Sequence, residues 1–261
     1  MKQILVFLCL VASLLFSAPT MAQDFSALKD EGQAQVVEVI TPYTIQLSNG
    51  QLIQLSGIHF PDYDPENTGD LSLAALNILK DALIGQRVRI YQTQGTDWGR
   101  QNRMGHQLAH LQRIEDGAWI QGLMLSLGLA VTKTTQRTPE LAAFMYALED
   151  EARKEKLGFW EHEDAILTPE QAAEHTGSFQ IVEGTIAGVA MNKNRLYINF
   201  GQNWRDDFTV SVAPADLKRF TENGLNPQQW GGQKIRVRGW IESYNGPYIE
   251  IDHPEAIEKL D

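Results

Sequence analysis

Residues 33–61 alternate apolar and polar side chains around the pair Asn49-Gly50, and no other feature limits the possible folds as much. An Asn-Gly pair between two alternating runs predicts a β-hairpin, because both residues accept the positive φ angles of a tight turn. Alternation returns at residues 86–93 and 106–112, which we also predict to be strands. The first half of the chain is therefore predicted to be built around a sheet.

Three segments around these strands have helical spacing. In residues 69–85 leucines recur every three or four positions, with Asp70 as the predicted N-cap and Gly85 at the end. Residues 119–130 predict a short helix. A longer helix is predicted from Thr138, as N-cap, to Gly158. Its predicted apolar stripe consists of Leu141, Phe144, Leu148 and Ala152.

A polar stretch separates this half from a second strand-rich half. Residues 161–177 lack strand signals, so we interpret them as a linker between domains at 23–160 and 178–261. Five short strands are predicted at 179–191, 195–201, 207–213, 233–241 and 247–252, with a helix at 214–223. Five strands with one helix between the third and the fourth predict a small OB-like barrel.

The first 22 residues have the pattern of a secretory signal peptide. Lys2 precedes an apolar run, and Thr20-Met21-Ala22 is similar to a cleavage site, so we expect a periplasmic or secreted protein. The apolar run is too short to span a bilayer. The single cysteine, Cys9, lies in this segment, so no disulfide is expected in the mature chain.

The rest of the chain is acidic mainly in its first part. Residues 23–175 contain 12 Lys and Arg against 22 Asp and Glu, a net charge of −10. Residues 176–261 contain 9 against 11, a net charge of −2. Because phosphate groups are bound largely by Lys and Arg, the first part is a poor polyanion binder on charge alone.

Two short motifs in the first half are more specific than its strand pattern. Leu157-Gly158-Phe159-Trp160 closes the longer predicted helix, and Gly128-Leu129-Ala130 follows the short one. With these motifs in this order, residues 33–162 resemble the staphylococcal nuclease (thermonuclease-like) family. The resemblance implies an OB-type five-stranded barrel with three helices, and it implies calcium-dependent cleavage of phosphodiesters. The predicted fold class is therefore mainly β with helices (α+β).

The residues that this family uses for catalysis are replaced at the matching positions. Tyr43 and His59 stand where the resemblance places calcium-binding aspartates. Gln54 and His106 stand where it places the two arginines that hold the phosphate. Asp62 matches the glutamate that helps to activate water. These substitutions predict a degenerate catalytic site.

Two other chemistries remain open at these positions. Aligning Trp98-Gly99-Arg100 with the family's second arginine motif would restore that arginine but leaves six unmatched residues. On the family's scaffold, His59, Asp62 and His106 would share one pocket, and imidazoles with a carboxylate are ligands for zinc. A bound divalent metal, zinc or calcium, is one expectation, and a polar pocket without metal is the other.

Residues 233–241 predict a strand with one basic and aromatic face, because Lys, Arg and Trp alternate there with apolar residues. Cations beside stacking rings are typical of OB folds that bind single-stranded nucleic acid. Tyr244 and Tyr248 follow the strand. The alternative is an ordinary solvated strand face. The predicted polyanion-binding set consists of Lys234, Arg236, Arg238, Trp240, Trp204 and Arg205.

The sequence thus predicts an exported protein whose nuclease-like barrel no longer cleaves. We expect it to bind a partner protein, or an oligonucleotide or another polyanion. The alternative is a divalent-metal-dependent phosphodiesterase with a reshaped site, and a third class is an envelope scaffold without a small ligand. Salt-dependent affinity for single strands would favour the nucleic-acid binder. Metal bound at one ion per chain would favour the enzyme.

Overall fold

The computed structural model describes residues 23–95, 99–203 and 206–260. The predicted signal peptide lies outside these ranges, as do Trp204 and Arg205 of the predicted polyanion-binding set. No helix within these ranges is long and apolar enough to cross a membrane.

The first half forms a closed five-stranded barrel with three helices. Its strands are β1 (Leu28–Val39), β2 (Thr44–Leu47), β3 (Leu52–Leu55), β4 (Ile58–His59), β5 (Arg87–Thr93), β6 (Gln107–Arg113) and β7 (Val131–Thr132). Its helices are α1 (Asp70–Leu83), α2 (Ile120–Ser126) and α3 (Ala142–Lys154). The barrel has the strand order β1-β2-β3-β6-β5, and β4 pairs with β7 in a separate ribbon. The predicted OB-type barrel with three helices is confirmed.

The predicted hairpin joins β2 to β3, with Ile45 opposite Ile53. Of the Asn49-Gly50 pair, Gly50 alone has a positive φ, of +82°, and the backbone N–H of Leu47 donates to the carbonyl of Gln51. The connection is therefore a three-residue loop, in which only the glycine adopts the left-handed conformation. Ile45 and Ile53 are fully buried in the barrel core, which fixes the register of the hairpin.

The two motifs quoted above meet in space. The backbone N–H of Phe159 donates to the carbonyl of Gly128 at 2.8 Å. A Cβ atom on Gly128 would lie 2.0 Å from the carbonyl oxygen of Leu157, and a Cβ on Gly158 would lie 2.5 Å from the carbonyl oxygen of Gly128. Both glycines also have positive φ angles. Only glycine at both positions lets the segment after α2 pass this close to the segment after α3.

Two helix starts differ from the prediction. Helix α1 is preceded by Gly69 at its N-cap, and Asp70 is its first residue rather than the cap. Helix α3 begins at Ala142, later than predicted, and its buried face includes Glu149. Phe144, which was placed on the apolar stripe, is 49% exposed. Leu141 and Ala152 are buried as predicted, and Met145 and Glu149 are the further residues that α3 packs inward.

The second half contains two sheets that enclose one core. Its elements are β8 (Phe179–Thr185), β9 (Gly188–Asn192), β10 (Arg195–Asn199), β11 (Thr209–Val212), α4 (Pro214–Glu222), β12 (Lys234–Trp240), β13 (Glu242–Ser243), β14 (Pro247–Ile251) and β15 (Ile257–Leu260). One sheet has the order β13-β14-β11-β10-β9 and the other β15-β12-β8. Consecutive strands β8 and β9, and β14 and β15, pass from one sheet to the other. Helix α4 follows β11, as predicted, whereas the strands predicted to form one five-stranded barrel are divided between two sheets.

The stretch interpreted as a linker is packed against the second half. Leu167 forms a parallel bridge with Val182, and both are buried in the second core together with Ala172. A third, smaller cluster joins the two halves and includes Val131 and Ile181. The domain limits at 160 and 178 remain predictions. The linker is polar in composition, but it packs against the second half.

Candidate functional site

Tyr43 and His59, at two of the substituted catalytic positions, form a hydrogen-bonded pair. The backbone N–H of Phe60 donates to the Tyr43 hydroxyl at 2.8 Å, and that hydroxyl lies 2.8 Å from Nδ1 of His59. Burial raises the pKa of Tyr43 to about 12, so the phenol keeps its proton. The hydroxyl thus accepts from Phe60 and keeps a proton that it can donate to Nδ1.

His59 is a neutral imidazole covered by the second half of the chain. Burial, and then the charge of Lys133, lowers its pKa to about 3. Its ring centroid lies 4.8 Å from that of Phe179 and 6.3 Å from that of Trp240. The ammonium of Lys133 lies 5.1 Å and 5.2 Å from the same two ring centroids, within cation–π range. His59 is thus held between Tyr43 and the rings of the second half.

Asp62 caps helix α1 from a distance. Its Oδ2 accepts the backbone N–H of Leu71 at 2.9 Å, and its Oδ1 accepts the backbone N–H and the hydroxyl of Ser72 at 3.0 and 2.5 Å. These are orphan donors of the first helical turn, and a carboxylate there also interacts favourably with the helix dipole. Both carboxylate oxygens are therefore engaged by the helix.

Gln54 and His106 lie near each other through Asn102. The side-chain amide of Asn102 donates to Oε1 of Gln54 at 2.5 Å, and its Oδ1 accepts the backbone N–H of His106 at 3.0 Å. Arg100, the arginine of the alternative alignment, is paired with Glu31. It is also hydrogen-bonded to the Gln92 side chain at 3.1 Å. Its guanidinium is thus engaged by side chains of the barrel strands.

These positions do not fit the calcium ion that the family implies. Calcium takes six to eight oxygen ligands, largely carboxylates and carbonyls. Here one aspartate position is a protonated phenol, the other is an imidazole, and Asp62 is occupied by α1. In residues 23–95, 99–203 and 206–260, no group of three or more His, Cys, Asp or Glu side chains could hold a metal ion. His59, Asp62 and His106 are not among such a group, since His59 is bonded to Tyr43 and Asp62 to the start of α1, so the structure does not support the expected metal set.

The cavity beside His59 is small. Its volume is about 110 Å³, and its walls include Asp164, His175 and Phe179. Sites that bind small ligands usually measure about 300–1,000 Å³. A nucleotide does not fit there in this arrangement of the chain.

The prediction of an exposed basic face on β12 is wrong for two of its members. Arg236 and Arg238 are buried, because β12 is central between β8 and β15. Arg236 pairs with Glu183 at 2.6 Å, as does the half-exposed Lys234 at 2.5 Å. Trp240 is 50% exposed, at the end of the strand. Alternation cannot reveal a strand that is covered on both faces.

Arg238 crosses to the first half of the chain. Its Nη2 lies 2.9 Å from Oε1 of Glu149, and the two side chains are only 2% and 1% exposed. Nη1 donates to the carbonyl of Thr132 at 3.1 Å, and Nη2 lies 2.5 Å from Glu258. Burial alone would lower the pKa of Arg238, but the negative charges around it, above all Glu149, raise it on balance. The sequence analysis did not identify Glu149 as a contact residue. The one signal in the sequence is that a charged residue lies on the side of α3 that packs inward.

A second polar contact joins the halves at Thr134. Its hydroxyl lies 2.9 Å from Nε2 of His253, whose Nδ1 lies 2.6 Å from Oδ1 of Asp252. Hydroxyl, imidazole and carboxylate in this order are also found in nucleophilic enzymes. Thr134 and His253 are only 8% and 6% exposed, so a substrate has no approach to the hydroxyl. The contact is structural, and sequence reasoning assigned no role to His253.

Comparison with known families agrees with this architecture. Residues 52–162 match the family model described as staphylococcal nuclease homologue. The matched stretch runs from β3 to beyond α3 and includes the meeting point of Gly128 and Gly158. A search of curated proteins found no match. Residues 52–162 of the first half are thus similar to the staphylococcal nuclease homologue family, as the resemblance predicted.

Proposed function

We propose that this protein is a non-hydrolytic binding protein built on a nuclease scaffold. A staphylococcal nuclease homologue domain indicates a nuclease-like or nucleic-acid-binding function. One observation favours binding over cleavage. Polar side chains at the family's catalytic positions are already engaged in hydrogen bonds within the fold. The Tyr43 hydroxyl serves His59, and both oxygens of Asp62 serve α1.

Magnitudes support the loss of cleavage. Removing one preorganised electrostatic group from an active site typically reduces the rate about 10²–10³-fold. Here both aspartate positions and both arginine positions are substituted, and His59 is covered by Phe179 and Trp240. Such effects are not additive, but a combined loss of about 10⁴-fold or more is expected.

Cleavage of a quenched single-stranded DNA by the purified mature protein tests this proposal. The assay is run with calcium, zinc, manganese or EDTA, on the wild type, on His59→Ala and on His162→Ala. His162 is exposed and serves as the matched control. We expect no metal-dependent cleavage above the buffer rate in any sample.

The opposite result has a specific form. Metal-dependent cleavage that is lost in His59→Ala and kept in His162→Ala would establish a metal-dependent phosphodiesterase with a reshaped site, and the proposal would be rejected. The predicted polyanion surface on β12 is not part of this proposal, because its two central arginines are buried and paired.

A further inference from the structure

The five-stranded sheet of the second half has a polar outer face. Leu196 and Ile198 point into the second core, so the intervening residues of β10 face outward. Pairing places Asn199 opposite Thr209, and Thr209 opposite Tyr248. Side chains from three neighbouring strands therefore stand in one row across the sheet.

A cavity of about 470 Å³ lies over this face. Its volume is within the range of about 300–1,000 Å³ found for small-ligand sites. Aromatic rings and side-chain amides dominate its walls. The rings belong to Tyr197, Tyr244 and Tyr248, and the amides to Asn192, Asn199 and Asn245. Tyr244 is 64% exposed and lies edge-on to Tyr248, with ring centroids 6.0 Å apart.

The described walls of this cavity carry no formal charge. Arg195 stands on the same face of β10, but its guanidinium is held by Glu250 at 2.9 Å. It also donates to the Ser211 hydroxyl at 3.1 Å and to the Tyr248 hydroxyl at 3.3 Å. Its positive charge is therefore compensated within the sheet. A phosphodiester chain needs free cations, and a neutral ligand does not.

We propose that this face binds a neutral oligosaccharide. Tyrosine rings present flat apolar surfaces, which suit the C–H faces of pyranose rings, and their hydroxyls remain polar. Each asparagine amide offers donors and an acceptor close together, which match neighbouring sugar hydroxyls. Small OB barrels bind oligosaccharides as well as oligonucleotides. The assignment rests on the proposed function, since it gives the class of ligand for that binding.

Calorimetric titration of the full mature chain tests the assignment. The probes are a glucose tetrasaccharide, an N-acetylglucosamine tetrasaccharide and an oligothymidylate. The variants are Tyr197→Ala and Tyr244→Ala, with Phe144→Ala as an exposed aromatic control on the other half. We expect at least one tetrasaccharide to bind, and each tyrosine variant to bind it about tenfold more weakly. The control variant should bind as the wild type does, with little change between about 50 and 200 mM salt.

Three results would overturn the assignment. Neither tetrasaccharide binds, or the tyrosine variants bind as tightly as the wild type, or only the oligothymidylate binds through these tyrosines with a strong salt dependence. The last result identifies a nucleic-acid site and leaves the proposed binding function intact. Metal-dependent cleavage of the oligothymidylate by the same preparation would instead reject the proposed function, whatever the saccharides do.

Discussion

Among the residues that the structure describes, Arg238 and Glu149 form the most deeply buried charge pair between the two halves. Removing one member of a buried pair leaves the other charge without compensation, so Arg238→Met should lower the free energy of unfolding by about 3–5 kcal/mol. Arg236→Met on the same strand is the matched control. Its partner Glu183 is partly exposed and also pairs with Lys234, so the expected loss is about 1–2 kcal/mol.

Urea unfolding of the two variants measures the difference. Adding Glu149→Gln to Arg238→Met should recover part of the lost stability, because the uncompensated carboxylate is then removed. Equal losses for the two arginine variants would show that the contact between the halves does not depend on this pair.

At the scale of the element, helix α1 depends on a residue outside it. Asp62→Ala removes the acceptor for the backbone N–H groups of Leu71 and Ser72, so it should destabilise the protein by about 1–2 kcal/mol. Asp64→Ala in the same acidic loop is the control. The Asp64 carboxylate accepts from the backbone of the exposed loop residues Glu66 and Asn67, so its replacement should change stability by less than about 0.5 kcal/mol. Chemical denaturation compares the two, and a similar loss in both would contradict the capping role.

At the scale of the whole molecule, two buried histidines make stability depend on pH. Burial lowers the pKa of His110 to about 3, and burial with Lys133 does the same for His59. Below about pH 6.5 the unfolded chain binds protons that the folded chain does not, so stability is lost as the pH falls from there towards 3. Each histidine contributes a slope of about 1.4 kcal/mol per pH unit.

Unfolding curves recorded between about pH 7 and pH 5 measure this slope. His110→Gln should reduce it, whereas replacing the exposed His162 by Gln should leave it unchanged. A slope that stays the same in His110→Gln would show that this imidazole is protonated in the folded protein.

The barrel was predictable because its signals are local. The hairpin around Gly50 and the alternation of β5 and β6 each depend on neighbours in sequence. Helix starts were less predictable, since α1 is capped by Asp62, several residues before the helix. No local pattern reports a cap that comes from outside the element.

The sequence predicted which positions form the candidate site, but it did not predict the contacts that these residues make. The resemblance located Tyr43 and His59, but their hydrogen bond and their cover by Phe179 depend on how the halves pack. For the same reason, Arg238 was expected on a surface and lies in an interior. Tyr244 and Tyr248 were singled out beside the barrel, whereas Tyr197 was not, because its place in the row follows from strand pairing.

The contact between the Gly128 and Gly158 segments is a feature of the fold that does not depend on the catalytic residues. Each glycine is required by the close backbone of the other segment. The atoms that a Cβ at these positions would meet do not belong to Tyr43 or His59. A side chain at either position would clash with the backbone at this crossing, whereas Tyr43 and His59 make no contact that requires these glycines. A chain can therefore keep these two glycine motifs while its catalytic residues are replaced. The motifs indicate the inherited fold, and they do not indicate the reaction.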